Sequence, residues 1–255
     1  MPRDKNEDVP LLDAPAETAP VLMVGLGRGG SGKSLLLAEA VWRAHNQGRP
    51  VIVADGDARS KTLLGLFPDA LTPVSEELPD VKAFLSSLLN RMAKERRSAV
   101  LDLGGGDRSL LEYGRDLRLV EFCARRGIEP LGLYVLGPED EDLSHVVSIF
   151  EAGYFRPRRT LLVLNEGVIR TGRTVAGAFE RTMSSPGFAR LIEAGAVPLL
   201  LTRLACMDDA RRMPGGFYEA AGGDALDPVE GFMLEDWLVD LERKRREAGA
   251  AGWLP

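Results

Sequence analysis

Lys33 and Ser34 close the segment Gly-Arg-Gly-Gly-Ser-Gly-Lys-Ser (27–34), which directly follows the apolar run Val-Leu-Met-Val-Gly-Leu (21–26). An ammonium, a hydroxyl and several glycines in so short a stretch are the tools for holding a polyanion. Glycine lets consecutive backbone N–H groups turn toward an anion, and the N-terminus of a following helix adds favourable partial charge. The spacing satisfies G-x-x-x-x-G-K-[ST] at every fixed position, with a buried-strand pattern before it and a helical pattern, Ser34 to Gly48, after it. On this reading the backbone of Gly27, Arg28, Gly29, Gly30, Ser31 and Gly32 wraps the phosphates. Lys33 reaches the β- and γ-phosphates, and the Ser34 hydroxyl ligates Mg²⁺.

A metal beside phosphates needs carboxylates at the ends of neighbouring strands. Asp102 ends the apolar run Ser-Ala-Val-Leu-Asp-Leu (98–103) and precedes three glycines, 104–106, as a Walker B carboxylate would. Asp55 and Asp57 follow the run Val-Ile-Val-Ala (51–54). Two carboxylates at i and i+2 also suit a solvated turn, and both readings stand at this point.

The elements that position these groups follow from hydrophobic periodicity. Short, nearly continuous apolar runs at 21–26, 50–55, 98–103, 130–136, 160–165 and 197–202 predict strands buried on both faces. Helical spacing lies between them, as at Phe84, Leu85, Leu88, Leu89 and Met92. The alternation predicts an α/β fold with a mainly parallel twisted sheet, helices on both faces and ligands at the carboxyl ends of the strands. Residues 1–19, rich in Pro, Asp, Glu and Ala, predict a flexible tail, and 20–255 a single domain. A last helix over about 229–247 places Phe232, Met233, Trp237, Leu238 and Leu241 on one side; its interspersed acids suit docking on the domain better than lying on a membrane.

Composition excludes other classes. The 255 residues carry a net charge of −6, which argues against nucleic-acid binding through bulk charge. Two distant cysteines, Cys123 and Cys206, suggest neither a disulfide framework nor a zinc or iron–sulfur site. No apolar run is long enough to cross a bilayer and no signal peptide is recognisable, which predicts a cytoplasmic protein. Arg156, Arg158, Arg159, Arg170 and Arg173 flank the fifth apolar run and read as a solvated face or as a contact for non-specific DNA.

The run from Arg28 to Ser34 resembles the deviant Walker A motif of the ParA/MinD superfamily of P-loop ATPases, and Asp-Gly-Asp-Ala-Arg-Ser (55–60) is similar to that family's D-x-D switch segment. The resemblance implies ATP and Mg²⁺ as ligands and an ATP-sandwich homodimer. In that dimer a basic residue early in the loop, normally lysine, touches the partner's nucleotide; Arg28 stands in its place, although an ordinary surface arginine is the alternative. The resemblance further implies that Asp57 orients the attacking water, that Asp102 supports Mg²⁺ through water, and that Asp55 assists the metal or the lysine. Asn165, ending the run Thr-Leu-Leu-Val-Leu-Asn (160–165), resembles the family's base-contacting asparagine, while an asparagine here also suits a turn cap. Glu166, Gly167 and Val168 follow it, so the guanine-type N-K-x-D pattern is absent and ATP is favoured over GTP. The implied role is a dimerising switch in plasmid or chromosome partition or in cargo positioning, with a protein adaptor as partner and a membrane less favoured. The alternative is a metabolic P-loop enzyme of the amide synthase or dethiobiotin synthetase kind that activates a small carboxylate.

Overall fold

A computed structural model describes residues 19–57, 60–103, 107–153, 155–170 and 174–255. The expected tail up to residue 18, the glycines 104–106 and Arg173 lie outside the described residues. All six predicted strands are present: β1 (Val21–Leu26), β2 (Val51–Asp55), β3 (Ser98–Asp102), β4 (Glu129–Leu136), β5 (Arg159–Asn165) and β6 (Val197–Leu201). They form one sheet in the order β2-β3-β1-β4-β5-β6, and every neighbouring pair is parallel.

Parallel pairing requires a crossover between successive strands, and the chain supplies helices. These are α1 (Lys33–Asn46), α2 (Thr62–Leu66), α3 (Leu78–Glu95), α4 (Asp107–Leu117), α5 (Leu119–Arg125), α6 (Asp140–Ala152), α7 (Glu180–Met183), α8 (Pro186–Glu193), α9 (Met207–Ala210), α10 (Phe217–Gly222) and α11 (Pro228–Glu247). Alternate residues along β1 divide the core in two. Leu22, Val24 and Leu26 face a layer containing α3, α5, α6 and α8. Val21 and Met23 face a layer containing α1, α10 and α11. The Phe84, Leu85, Leu88, Leu89 and Met92 stripe is buried as its spacing predicts. Cys123 is buried, which pushes its thiol up to about 12 and leaves it protonated.

The sheet edges differ. Leu71 covers β2, donating to the Val53 carbonyl and accepting from the Asp55 N–H. On β6, Pro198 and Leu200 face outward.

The last helix departs from its predicted face. Asp227 caps it by accepting from the N–H groups of Val229 and Glu230, and Pro228 opens it. Leu234, Trp237, Leu238 and Leu241 are buried against the α1 layer, but Phe232 is 69% exposed and Met233 is exposed beside it. The reason is phase: the residues at 234, 237, 238 and 241 keep a helical period that 232 and 233 miss, and those two join Val229 and Val239 on an outward stripe. Docking on the domain is therefore what α11 does, through a narrower face. Phe217 of α10 sits between Trp42 of α1 and Trp237 of α11, with ring centroids 4.7 Å and 5.8 Å away.

Charges complete this contact. Arg245 of α11 pairs through both terminal nitrogens with Glu39 of α1, which also accepts from the Tyr218 hydroxyl at 2.9 Å. Arg43 of α1 forks onto Glu242 of α11 at 2.9 and 2.8 Å. Burial opposes the charge of Glu242, but hydrogen bonding and charge from Arg43, with Arg245 and Arg246 nearby, outweigh it and hold the carboxyl below its ordinary value.

Two outcomes follow for stability. Phe217→Ala costs about 3–5 kcal/mol in urea unfolding, while Phe232→Ala stays within about 0.5 kcal/mol; equal losses would contradict the assigned faces. Because the Glu242 carboxyl is depressed in the folded state, its contribution is present above the unfolded carboxylate value and is lost as pH falls through the folded one. Wild type therefore loses more stability than Glu242→Gln between about pH 5 and pH 3, measured by urea midpoints across pH.

Candidate nucleoside triphosphate site

The loop between β1 and α1 is shaped by two glycines. Gly27 has φ +141°, and a Cβ there would lie 2.5 Å from the Val135 carbonyl oxygen of β4. Gly32, at the N-terminus of α1, has φ +89°, and a Cβ there would lie 2.3 Å from the Asn165 amide nitrogen. Any side chain at either position collides with the fold and strains the backbone. The first turn of α1 holds no acidic residue and no side-chain cap, and Gly32, Lys33 and Ser34 line the cleft.

Beneath the loop, Asp102 gathers the loop's chemistry. Strand pairing sets its Cα beside Gly25 of β1 and beside Asp55 of β2. One carboxylate oxygen accepts from Lys33 Nζ at 2.5 Å and the other from the Ser34 hydroxyl at 2.5 Å. Lys33 and Asp102 are both buried. Sequence reading placed these three residues at one metal and phosphate position, and the structure brings them within hydrogen-bond reach.

Asp55 and Asp57 separate in role. Asp55 is buried and accepts from the N–H groups of Asp57 at 3.0 Å and Leu64 at 2.9 Å, one on each oxygen. Burial raises its pKa, with the Asp102 and Asp57 charges adding to the rise and the two backbone N–H groups opposing it. Its carboxylate ties the segment after β2 to α2. Asp57 reaches the cleft, where its oxygens accept from the Ser60 N–H at 3.2 Å and the Ser60 hydroxyl at 2.5 Å.

Asn165 both caps and ties. Its Oδ1 accepts from the Gly167 N–H at 2.9 Å, and its amide donates to the Ser31 carbonyl at 2.8 Å. The amide nitrogen carries two protons, and the bond to Ser31 uses one. Arg28 stands at the loop's tip, its side chain 47% exposed, with Nη1 3.5 Å from Asp142 of α6.

Arg28, Lys33, Ser34, Asp57 and Asn165 line a cleft of about 1090 Å³ at the carboxyl ends of the strands. One wall is the loop with Lys33 and Ser34, and the floor near the end of β2 includes Asp57, Ser60 and Lys61. The opposite wall is Asn165 to Ile169 together with Leu201 to Ala205 and α9. Sequence reading missed the 201–205 wall and the Ser60 support of Asp57. The rule that ligands lie at strand carboxyl ends would have pointed to the first, and a serine three residues after an aspartate to the second. The flanking arginines do not gather: Arg156, Arg158 and Arg159 lie at the amino end of β5 and Arg170 beyond its carboxyl end. Arg156 rests over the Phe150 ring at 4.5 Å.

The residues present fit a Mg²⁺–triphosphate. Ser31 Oγ is a buried hydroxyl with no hydrogen-bond partner among the described residues, directly in the loop. Lys33, Ser34 and Asp102 are the donor set for phosphate and a hard cation.

A parallel sheet with this loop between its first strand and first helix, and a strand-end carboxylate beneath, is the P-loop nucleoside triphosphatase fold. No family model and no curated protein matches the chain. Solved structures similar to it include chloroplast FtsY from Physcomitrella patens, at 18% identity and TM-score 0.48, covering 71% of this chain and 58% of that one. FtsY from Elizabethkingia anophelis, a signal recognition particle receptor, matches at 15% identity and TM-score 0.47, over 74% of this chain and 61% of that one. The MinD cell division protein of Aquifex aeolicus matches at 13% identity and TM-score 0.46, over 87% of this chain and 98% of that one. The chain thus spans less than two thirds of these FtsY chains.

Asp102→Ala leaves the buried Lys33 ammonium without its carboxylate, and about 3–5 kcal/mol of stability is lost in urea unfolding of the nucleotide-free protein. An unchanged midpoint would show that the pair does not hold the loop.

Proposed function

We propose that the chain is a cytoplasmic ParA/MinD-like ATPase whose Mg–ATP form is a homodimer and whose hydrolysis resets it. It would act as a switch in plasmid or chromosome partition or in positioning another cargo. The observation that carries this reading is the joint hold of Asp102 on Lys33 and Ser34 beneath a glycine loop whose exposed tip is Arg28. Residues 20–255 would work as one ATPase domain. No helix of the described residues is long and apolar enough to cross a membrane, and an adaptor protein, with non-specific DNA as a lesser candidate, is the partner class that fits a switch.

The chain's own groups divide the work of phosphoryl transfer, which is mostly positioning and charge neutralisation. Lys33 leaves Asp102 for the triphosphate, a better-matched counter-charge that enters the same pocket. Ser34 and Asp102 would then hold Mg²⁺, which supplies charge neutralisation at the β- and γ-phosphates. Asp57, which lines the cleft and accepts from Ser60, would orient the water that attacks. Arg28 swings from Asp142 to the partner's nucleotide; its planar fork suits phosphate oxygens. Asn165 offers an amide to an adenine edge, which supports ATP over GTP.

Light scattering with Mg–ATP and Mg–ADP tests this. Asp57→Ala is expected to bind ATP, remain dimeric with it and lose hydrolysis by at least about a hundredfold. Arg28→Ala is expected to stay monomeric. A molar mass that ignores nucleotide in every variant, with ATP consumed only when a small carboxylate is added, would replace the switch by the metabolic enzyme.

A further inference from the structure

A single helix contacts one wall of the cleft and also the helix that carries Lys33. Beyond the residues that line the cleft, α11 meets α1 through Arg245–Glu39 and Glu242–Arg43. Glu39 is fully buried and follows Lys33 on the same helix. On the opposite wall, the Trp237 indole N–H donates to the Thr202 carbonyl at 2.8 Å, and the Thr202 hydroxyl donates to Asp240 at 3.3 Å. Thr202 is the residue after β6 and lines the cleft. Residues 237 to 245 of α11 thus join the 201–205 wall to α1, the helix whose first turn lines the cleft, although the two come from distant parts of the chain.

The chemistry of the two ends differs. Paired charges removed from water are tolerated only while each keeps its partner, so α1 and α11 are held to one relative placement. Burial opposes the charge of Asp240, but hydrogen bonds from Lys244 and Arg243 outweigh it and keep the carboxyl below its ordinary value, so it stays an acceptor for Thr202. The indole N–H sits on a ring packed against Phe217, which limits its freedom to move.

We propose that α11 is a brace setting the spacing between the phosphate wall and the opposite wall, and that Trp237 and Glu242 are positioning residues for nucleotide binding. This rests on reading the cleft as a triphosphate site. Binding is then linked to the seating of α11: a nucleotide that spans both walls favours the seated helix, and loosening the helix releases the nucleotide.

The test compares two probes, Mg–ATP, which has a base, and Mg–tripolyphosphate, which has none, by calorimetric titration of the full chain. Trp237→Phe keeps an aromatic ring and removes the N–H to Thr202; it is expected to weaken ATP about three- to tenfold and leave tripolyphosphate unchanged. Glu242→Gln disturbs the α1 end and is expected to weaken both probes. In wild type, ATP should slow amide exchange within 237–245. If wild type binds both probes and both variants match it, the brace is overturned while the site stands. If Trp237→Phe weakens the two probes equally, in step with its loss of urea stability, the residue is only structural and the brace is likewise overturned. If wild type binds neither probe, the triphosphate reading itself falls.

Discussion

A buried carboxylate that holds an ammonium and a hydroxyl at once is the contact on which the rest of the molecule depends. Asp102 can do this only because β3 lies beside β1 in the sheet, which places its Cα next to Gly25 at the root of the glycine loop. Lys33 is nearly excluded from water, and a buried ammonium needs a paired anion beside it. The protein's own carboxylate therefore holds the lysine, and with it the loop, before any ligand arrives. In the proposed function a phosphate takes that carboxylate's place.

Much of the surrounding structure serves that arrangement. Asn165 ties the end of β5 to the loop carbonyl of Ser31, and Asp55 holds the segment after β2 through the Asp57 and Leu64 N–H groups. On the far side of α1, Trp42, Phe217 and Trp237 pack together while Glu39, Arg43, Glu242 and Arg245 pair. A core of apolar residues would stabilise as well, but paired forks accept few alternative alignments, so the network specifies where α1 sits.

The legible and the illegible parts divide by sequence distance. The six strands and the α3 stripe were readable because burial on a strand or a helix leaves a period within a few residues. The glycine loop was readable because its chemistry is contiguous. Asp55 was expected to assist the metal or the lysine; that its two oxygens accept from the Asp57 and Leu64 N–H groups could not be read, because it depends on how the chain turns after it. The Arg28–Asp142 pair joins residues 114 apart, and Arg245–Glu39 joins residues 206 apart. Neither leaves a local pattern, since the partners meet only after the sheet has formed. The outward placement of Phe232 and Met233 was misread for a related reason: a helix of mixed character offers two apolar stripes, and only its neighbours decide which is covered.

The central claim is that Lys33 exchanges its carboxylate for a triphosphate, and the most direct measurement is equilibrium binding of ATP to wild type and Lys33→Ala, with Mg²⁺ and with a chelator. The account predicts saturable binding to wild type that is stronger with Mg²⁺, and a loss of at least about a hundredfold in Lys33→Ala. Equal affinity of the two proteins, or no binding by wild type in either condition, would contradict it.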